Sequence, residues 1–291
     1  MLDVEQVRTL TVEAAGGAGH LSAASGLVRR EQRLYVIADD EHQLGVFDLA
    51  DAGPGSLRRL FDGELPAAAK ARKAAKPDLE ALAPLPPFPG CPHGALLALG
   101  SGSRPQRQRA VLLAWGEAGE LQWPARELDL SPLYQPLRDT HALLNIEGAF
   151  VSAGRFCLLQ RGWAAVQAWL TGGGPVPEPV RSTRYELGDI DGVPLCFTDG
   201  AALADGGWVF CAAAEATDDN YADGPCRGSA VGVVAADGRL LTLLPLSLRC
   251  KAEGIAATVE NGVLQLLMVT DPDDRAVPAA LLSARLADPR P

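Results

Sequence analysis

Short apolar or alternating runs, separated by Gly, Asp, Asn and Pro, recur from end to end of the chain, while helical periodicity is weak. Alternation with a period of two marks half-buried strands. The first repeat reads as four strands, Leu21 to Arg29, Leu34 to Asp39, Leu44 to Leu49 and Leu57 to Phe61. The second offers Leu79 to Pro84, Ala95 to Leu99, Ala110 to Trp115 and Leu121 to Leu130. The third offers Ile146 to Ser152, Phe156 to Gln160, Ala165 to Leu170 and Arg181 to Leu187. A fourth follows the same plan, with Asp199 to Leu203, Trp208 to Ala213, Ala230 to Ala235 and Leu240 to Leu246. Four strands per repeat of about this length is the signature of a propeller blade.

The fifth repeat supplies Glu253 to Val259, Val263 to Thr270 and Ala279 to Leu286, and is one strand short. The run Val4 to Val12 precedes the first repeat and has none of its own to join. Pairing it beside Ala279 to Leu286 closes a ring and removes an exposed sheet edge. The expectation is therefore an all-β, five-bladed β-propeller forming a single domain over residues 1–291. Six blades remain the alternative if a long connection hides a degenerate blade. Two stretches break the pattern. Glu64 to Lys76, rich in Ala and Lys, suits a short exposed helix or solvated connector, and Gly172 to Pro179 suits a surface loop.

Composition narrows the partners. With 47% hydrophobic residues among 291, the chain can bury a sizeable core without disulfides. A net charge of -10 excludes the positive face that nucleic-acid binding needs. The basic runs Lys70 to Lys76 and Arg104 to Arg109 read as solvated loops. Six cysteines show no CxxC or zinc-finger spacing, and Cys157 and Cys211, within apolar runs, read as small buried hydrophobes. Free thiols fit a reducing compartment. No signal-like N-terminus and no membrane-length apolar run occurs, so the expected location is cytoplasmic, with no membrane partner. The oligomeric state stays open.

At the start of each repeat a small or acidic residue recurs in an apolar setting: Ser25, Glu80, Glu147, Asp199 and Glu253, at steps of 55, 67, 52 and 54 residues. First strands of propeller blades line the axis, so these five side chains should meet there. Two carboxylates about 5 Å apart repel by roughly 3 kcal/mol at an effective dielectric of 20. Something positive must offset this. An all-oxygen ligand set favours a hard cation, and a ring this wide favours Ca²⁺. The rivals are a channel without metal, neutralised by Lys251, Lys76 or Arg161, and protonation of one or more of the carboxylates.

Period-two alternation also turns Asp78, Asn145 and Lys251 toward the channel. The ends of the second strands add a mouth, with Asp39 and Asp40, Ser101 to Arg104, Arg161, Glu215 and Asp271. Among these, Arg161, Lys76 and Asp39 are the candidates to act on a substrate. Asp40, Ser101, Arg104, Asn145, Glu215, Lys251 and Asp271 are candidates to line the mouth. His20, His42, His93 and His141 are scattered, and no nucleophile elbow or zinc-binding His pair occurs.

Ser25-Gly-Leu27 followed by Leu34-Tyr35, Asp39-Asp40 and Gly45-Val46 resembles the first blade of the calcium-activated nucleotidase (apyrase) group of five-bladed propellers. Lys251-Ala-Glu253-Gly-Ile255 is similar to that group's last inner strand, and Glu147 followed by Arg161 to its third blade. That resemblance implies a central Ca²⁺ ringed by one residue from each inner strand. The family's Trp- and Arg-rich nucleotide-binding loops have no clear counterpart. Lys76 to Glu80, Gly100 to Ser103 and Leu144 to Gly148 resemble uncharacterised bacterial propellers related to the esterase-like and phytase-like group, which implies hydrolysis of phosphate or other esters.

Three readings follow from the residues and the resemblance. One is a Ca²⁺-dependent hydrolase acting on a small, anionic molecule. Another is a binding or scaffold propeller whose cation only locks the inner strands. The third is a metal-free channel for a cationic small molecule or peptide. Propellers host all three.

Overall fold

A computed structural model describes residues 1–14, 17–141, 143–160, 163–167, 181–217 and 224–290. Both Arg161 and the expected loop Gly172 to Pro179 lie outside the described residues. The chain is all-β, in a β-propeller arrangement of antiparallel sheets. Among the described residues, four sheets have four strands each, and a fifth sheet has five. One of the four-stranded sheets joins the two ends of the chain. Its Val4–Thr9 strand pairs with Ala280–Ala287, as the unpaired N-terminal run requires.

Strand positions follow the hydrophobic pattern closely. The first sheet is Ala24–Arg30, Arg33–Ala38, Gln43–Asp48 and Ser56–Arg59. The inner strand of the five-stranded sheet, Val193–Ala202, begins six residues before the expected Asp199. Leu195 and Phe197 extend it, because both are buried against Trp208 and Phe210 of the neighbouring strand and its surroundings. Separate apolar clusters fill the gaps between consecutive sheets. One joins Leu27, Leu34 and Phe47 of the first sheet to Val269 and Leu281 of the sheet that holds both termini. Each fully buried Leu, Phe or Val contributes about 1.5–3 kcal/mol, so these interfaces set the sheets' mutual positions.

Two helices depart from the strand pattern. The Ala- and Lys-rich connector forms α1, Ala69–Ala75, a short helix exposed along its length, as expected, except at Arg72. Arg72 is buried, and its guanidinium meets Asp40 at 3.1 Å and Glu41 at 2.7 Å. The basic run from Arg104 likewise turns inward at Arg107, which is 5% exposed. The rest of both runs is exposed or half-buried, as the solvated-loop expectation has it; Arg72 and Arg107 turn inward, drawn by the buried carboxylates Asp40 and Asp78. The second helix, α2, Ser131–Thr140, is unannounced by the pattern. It is anchored by Tyr134, fully buried, whose hydroxyl donates to the Gly100 carbonyl at 2.7 Å. Cys157 and Cys211 are buried free thiols, as expected. No helix among the described residues is long and apolar enough to cross a membrane.

Candidate functional site

The inner strands share a local irregularity that builds the site. Each pairs with its neighbour in regular register except for one skipped residue, near the strand's start at Ser25, Glu80, Glu147 and Glu253 and mid-strand at Thr198. Such a bulge re-aims one side chain and recurs beside functional sites. In four strands the bulged residue is the one singled out from sequence. In the Val193–Ala202 strand it is Thr198, one residue before Asp199. Two hydroxyls confirm the equivalence. Ser25 Oγ donates to the Leu79 carbonyl at 2.5 Å, and Thr198 Oγ1 donates to the Ala252 carbonyl at 2.6 Å. Each acceptor is the residue immediately before the next ring carboxylate.

Three of the four expected carboxylates converge. Glu80, Glu147 and Glu253 each offer one oxygen, and the three oxygens lie within 4.8 Å of one another. Burial, with Asp78, Asp39 and Glu147 adding to it, pushes the Glu80 carboxyl well above the usual range. Burial does the same to Glu253; Lys251 opposes it, while Asp271 and Glu147 reinforce it. Asn145 donates its amide to Glu147. An all-oxygen donor set whose members repel one another fits a hard divalent cation, which would relieve both the burial and the repulsion.

Asp199 sits one step further along the inner strands, in a layer of small residues. There its carboxylate accepts the backbone N–H of Ile255 at 2.9 Å, and its Oδ1 has no hydrogen-bond partner among the described residues. Burial raises its pKa well above the ordinary value, opposed by the N–H groups of Ile255, Gly200 and Leu27. A Cβ on Gly148 would stand 2.8 Å from Asp199 Cα and 3.1 Å from its Oδ1. The carboxyl thus fills the space that glycine leaves at the axis. It is a strand clamp in this geometry rather than a member of the ring.

Around the ring opens a pocket of about 210 Å³, lined by residues from four of the five large sheets' inner ends and from α1. Nine carboxylates and six basic side chains line it. The bases are distributed as two buried lysines and an arginine wall. Lys76 Nζ pairs with Asp39 and, at 3.0 Å, with Asp78. Burial disfavours its charge, yet Asp39 and Asp78 outweigh this and raise its pKa. Asp78, held in the left-handed region at φ +57°, also takes Arg107 at 2.7 Å and the Ser101 hydroxyl. Lys251 faces four carboxylates: Glu215 at 3.1 Å, Glu253 at 3.3 Å, Asp271 at 3.6 Å and Asp273 at 3.0 Å. Its pKa is raised despite burial, because those four carboxylates favour the ammonium.

The expected mouth residues divide. Asp39, Asp40, Lys76, Asn145, Lys251 and Asp271 line the pocket. Ser101 supports it from behind through Asp78, and Glu215 through Lys251. Arg104 is exposed, and Arg107, three residues on, takes the place proposed for it. Sequence reading missed Arg72, Lys73, Arg107 and Arg275. Arg275 Nε meets Asp40 at 3.1 Å, opposite Arg72 on the same carboxylate oxygen, while Asp40 Oδ1 has no hydrogen-bond partner among the described residues. The only sequence signal for Arg72 and Arg107 was their place in short basic runs otherwise at odds with an acidic chain.

The fold and site define a β-propeller protein with an axial pocket of carboxylates and buried bases. The chain belongs to a family described as "Family of unknown function (DUF6929)", matched over residues 20–286. In fold it is similar to a glutaminyl cyclase of Myxococcus xanthus, with a TM-score of 0.54 and 12% identity over 98% of each chain. It is also similar to a luciferin-regenerating enzyme, with a TM-score of 0.51 and 10% identity over 97% of this chain and 94% of the other. At these identities the likeness is one of fold alone. Comparison with curated proteins gave no match.

Proposed function

We propose that the protein is a five-bladed propeller that binds a divalent cation at its axis, with Ca²⁺ the best-matched ion, and a small anionic ligand in the pocket around it. The five-stranded sheet serves as the remaining blade. Apolar clusters joining it to the sheets on either side support that reading. The observation that carries the cation is the convergence of Glu80, Glu147 and Glu253 within 4.8 Å. Oxygen-only ligation in a flexible ring suits Ca²⁺ better than the strict octahedron of Mg²⁺.

The reaction this arrangement supports is hydrolysis of a phosphate or other ester. A bound cation supplies Lewis-acid polarisation and a lowered water pKa. The chain's own residues supply the rest: Arg72, Lys73 and Arg275 give the pocket wall positive charge for an anion, and Asp39 stays anchored to Lys76. A second reading keeps the cation but omits turnover, so that the ion only ties inner strands together. It is favoured by the lining itself, which among the described residues contains neither His nor Cys as a proton-transfer or nucleophilic group.

Thermal melting with Ca²⁺ and with a chelator, followed by assays on nucleotides and generic phosphate esters, separates the two. A melting shift with turnover that Glu147→Gln abolishes supports the hydrolase. A shift without turnover supports the scaffold, and no shift in either condition removes the cation from both.

A further inference from the structure

Glu80 belongs to two groups of carboxylates at once. One is the ring with Glu147 and Glu253, and the other joins it to Asp39 and Asp78, again with one oxygen from each residue inside 4.8 Å. Two adjoining carboxylate triads that share a member have the layout of a two-cation centre with a bridging carboxylate. A buried ammonium stands beside each triad, but differently. Lys251 meets one member of the first, Glu253 at 3.3 Å, and three carboxylates outside it, whereas Lys76 meets two members of the second, 3.0 Å from Asp78 and paired with Asp39, on a side chain that is 12% exposed.

We infer that Lys76 is the built-in second cation of this pocket: its ammonium fills the Asp39–Asp78–Glu80 position, so the protein takes one divalent ion, at Glu80, Glu147 and Glu253, and excludes another. This rests on the cation reading given above for the ring. The placement has a local cause. Pro77 ends the connector after α1, and Asp78 turns through a left-handed conformation, which brings residues 76 and 78 to the same carboxylate group. Asp78 is fixed from its other side by Arg107 and Ser101, so the position is rigid before any ion arrives. Lysine here sets stoichiometry. Of the two triad positions, it leaves one to an exchangeable cation and fills the other with a permanent charge.

Equilibrium dialysis of the full chain against Ca²⁺ tests this by counting ions per chain. One ion for the native protein, one for Lys76→Arg and two for Lys76→Met are expected. Two ions in the native protein, or one ion in both the native protein and Lys76→Met, would overturn the inference. The axial reading fails separately: no ion in the native protein but one in Lys76→Met would refute the ring site while upholding Lys76 as the stand-in, and no ion in either would refute both. Lys76→Gln, which keeps a donor for Asp78, provides a second neutral variant. If a neutral variant is unstable in chelator, the count is read from the dependence of its melting temperature on Ca²⁺ concentration, which is steeper for two ions than for one.

Discussion

Thr198 donates its hydroxyl to the carbonyl of Ala252 across 2.6 Å, matching the contact of Ser25 with Leu79 between another pair of inner strands. In both places a short side chain reaches the backbone just ahead of a ring carboxylate, and so fixes where that carboxylate starts. The two non-acidic ring members are therefore spacers that hold Glu80 and Glu253 in register. Asp199, the more conspicuous residue, has a different task.

Replacing Thr198 with Val should remove the hydrogen bond and leave the Ala252 carbonyl without it in a buried setting. The expected loss is about 1–3 kcal/mol of stability, with Thr198→Ser close to the native protein. Urea denaturation of the three proteins measures it. Equal stability of the Val and native forms would deny the spacer role.

Gly148→Ala should destabilise by about 1–3 kcal/mol, because the new Cβ meets the Asp199 backbone at 2.8 Å, where no flexible side chain can give way. Gly154 makes a control on space alone, since nothing lies within 4 Å of a Cβ there. Its φ of +73° confines any cost of Gly154→Ala to backbone strain. Thermal melts of the two variants, taken with Asp199→Ala in each background, show whether the Gly148 clash depends on the Asp199 side chain or on its backbone.

Lys251 stands among four carboxylates at 3.0 to 3.6 Å. Its replacement by Met should cost about 3–5 kcal/mol in chelator, the usual penalty for removing one side of a buried ion pair. Ca²⁺ should restore part of that loss by neutralising Glu253. Melting curves of Lys251→Met with and without Ca²⁺ check both halves, and a variant as stable as the native protein in chelator would show that Lys251 is not what offsets these four acids.

The Asp271 carboxyl is pushed up to about 7, chiefly by burial and further by Asp39 and Asp273, with Lys251 opposing. A carboxyl whose folded pKa exceeds its unfolded value binds its proton more tightly in the native state. Its contribution is therefore greatest below the unfolded value near 4 and is lost as pH rises through about 7. Glu80, Glu253 and Asp39 shift in the same direction. Lys76 and Lys251, raised from an already high value, keep their contributions throughout that window. In chelator the protein should thus lose stability between pH 5 and pH 8, on the order of a few kcal/mol, and Asp271→Asn should flatten the slope. Stability that rises over this range would contradict the assignment.

The strand pattern was legible because alternation with a period of two is a local property, and each blade face is buried wherever the alternation says so. The pairing of Val4–Thr9 with the C-terminal strand was legible for a related reason: a run with strand character and no repeat of its own had one vacant edge to fill. Helix α2 was not legible, since Pro136 interrupts it and its stability comes from Tyr134 reaching Gly100, a contact 34 residues away.

The candidate site shows the same division. Glu80, Glu147 and Glu253 could be marked from spacing because each opens an inner strand. The choice between Thr198 and Asp199 could not, since a bulge shifts register by one residue and both side chains are polar. Arg72 and Arg107 look like surface residues in their own segments. They are buried only because the turn of the chain sets Asp40 and Asp78 against them. What the sequence determined by itself was the repeat, the all-β architecture and the acidic inner strands. Tertiary structure decided which acids meet, which bases neutralise them and which residue closes the axis, because charge pairing and bulge register depend on distances across blades that no local pattern encodes.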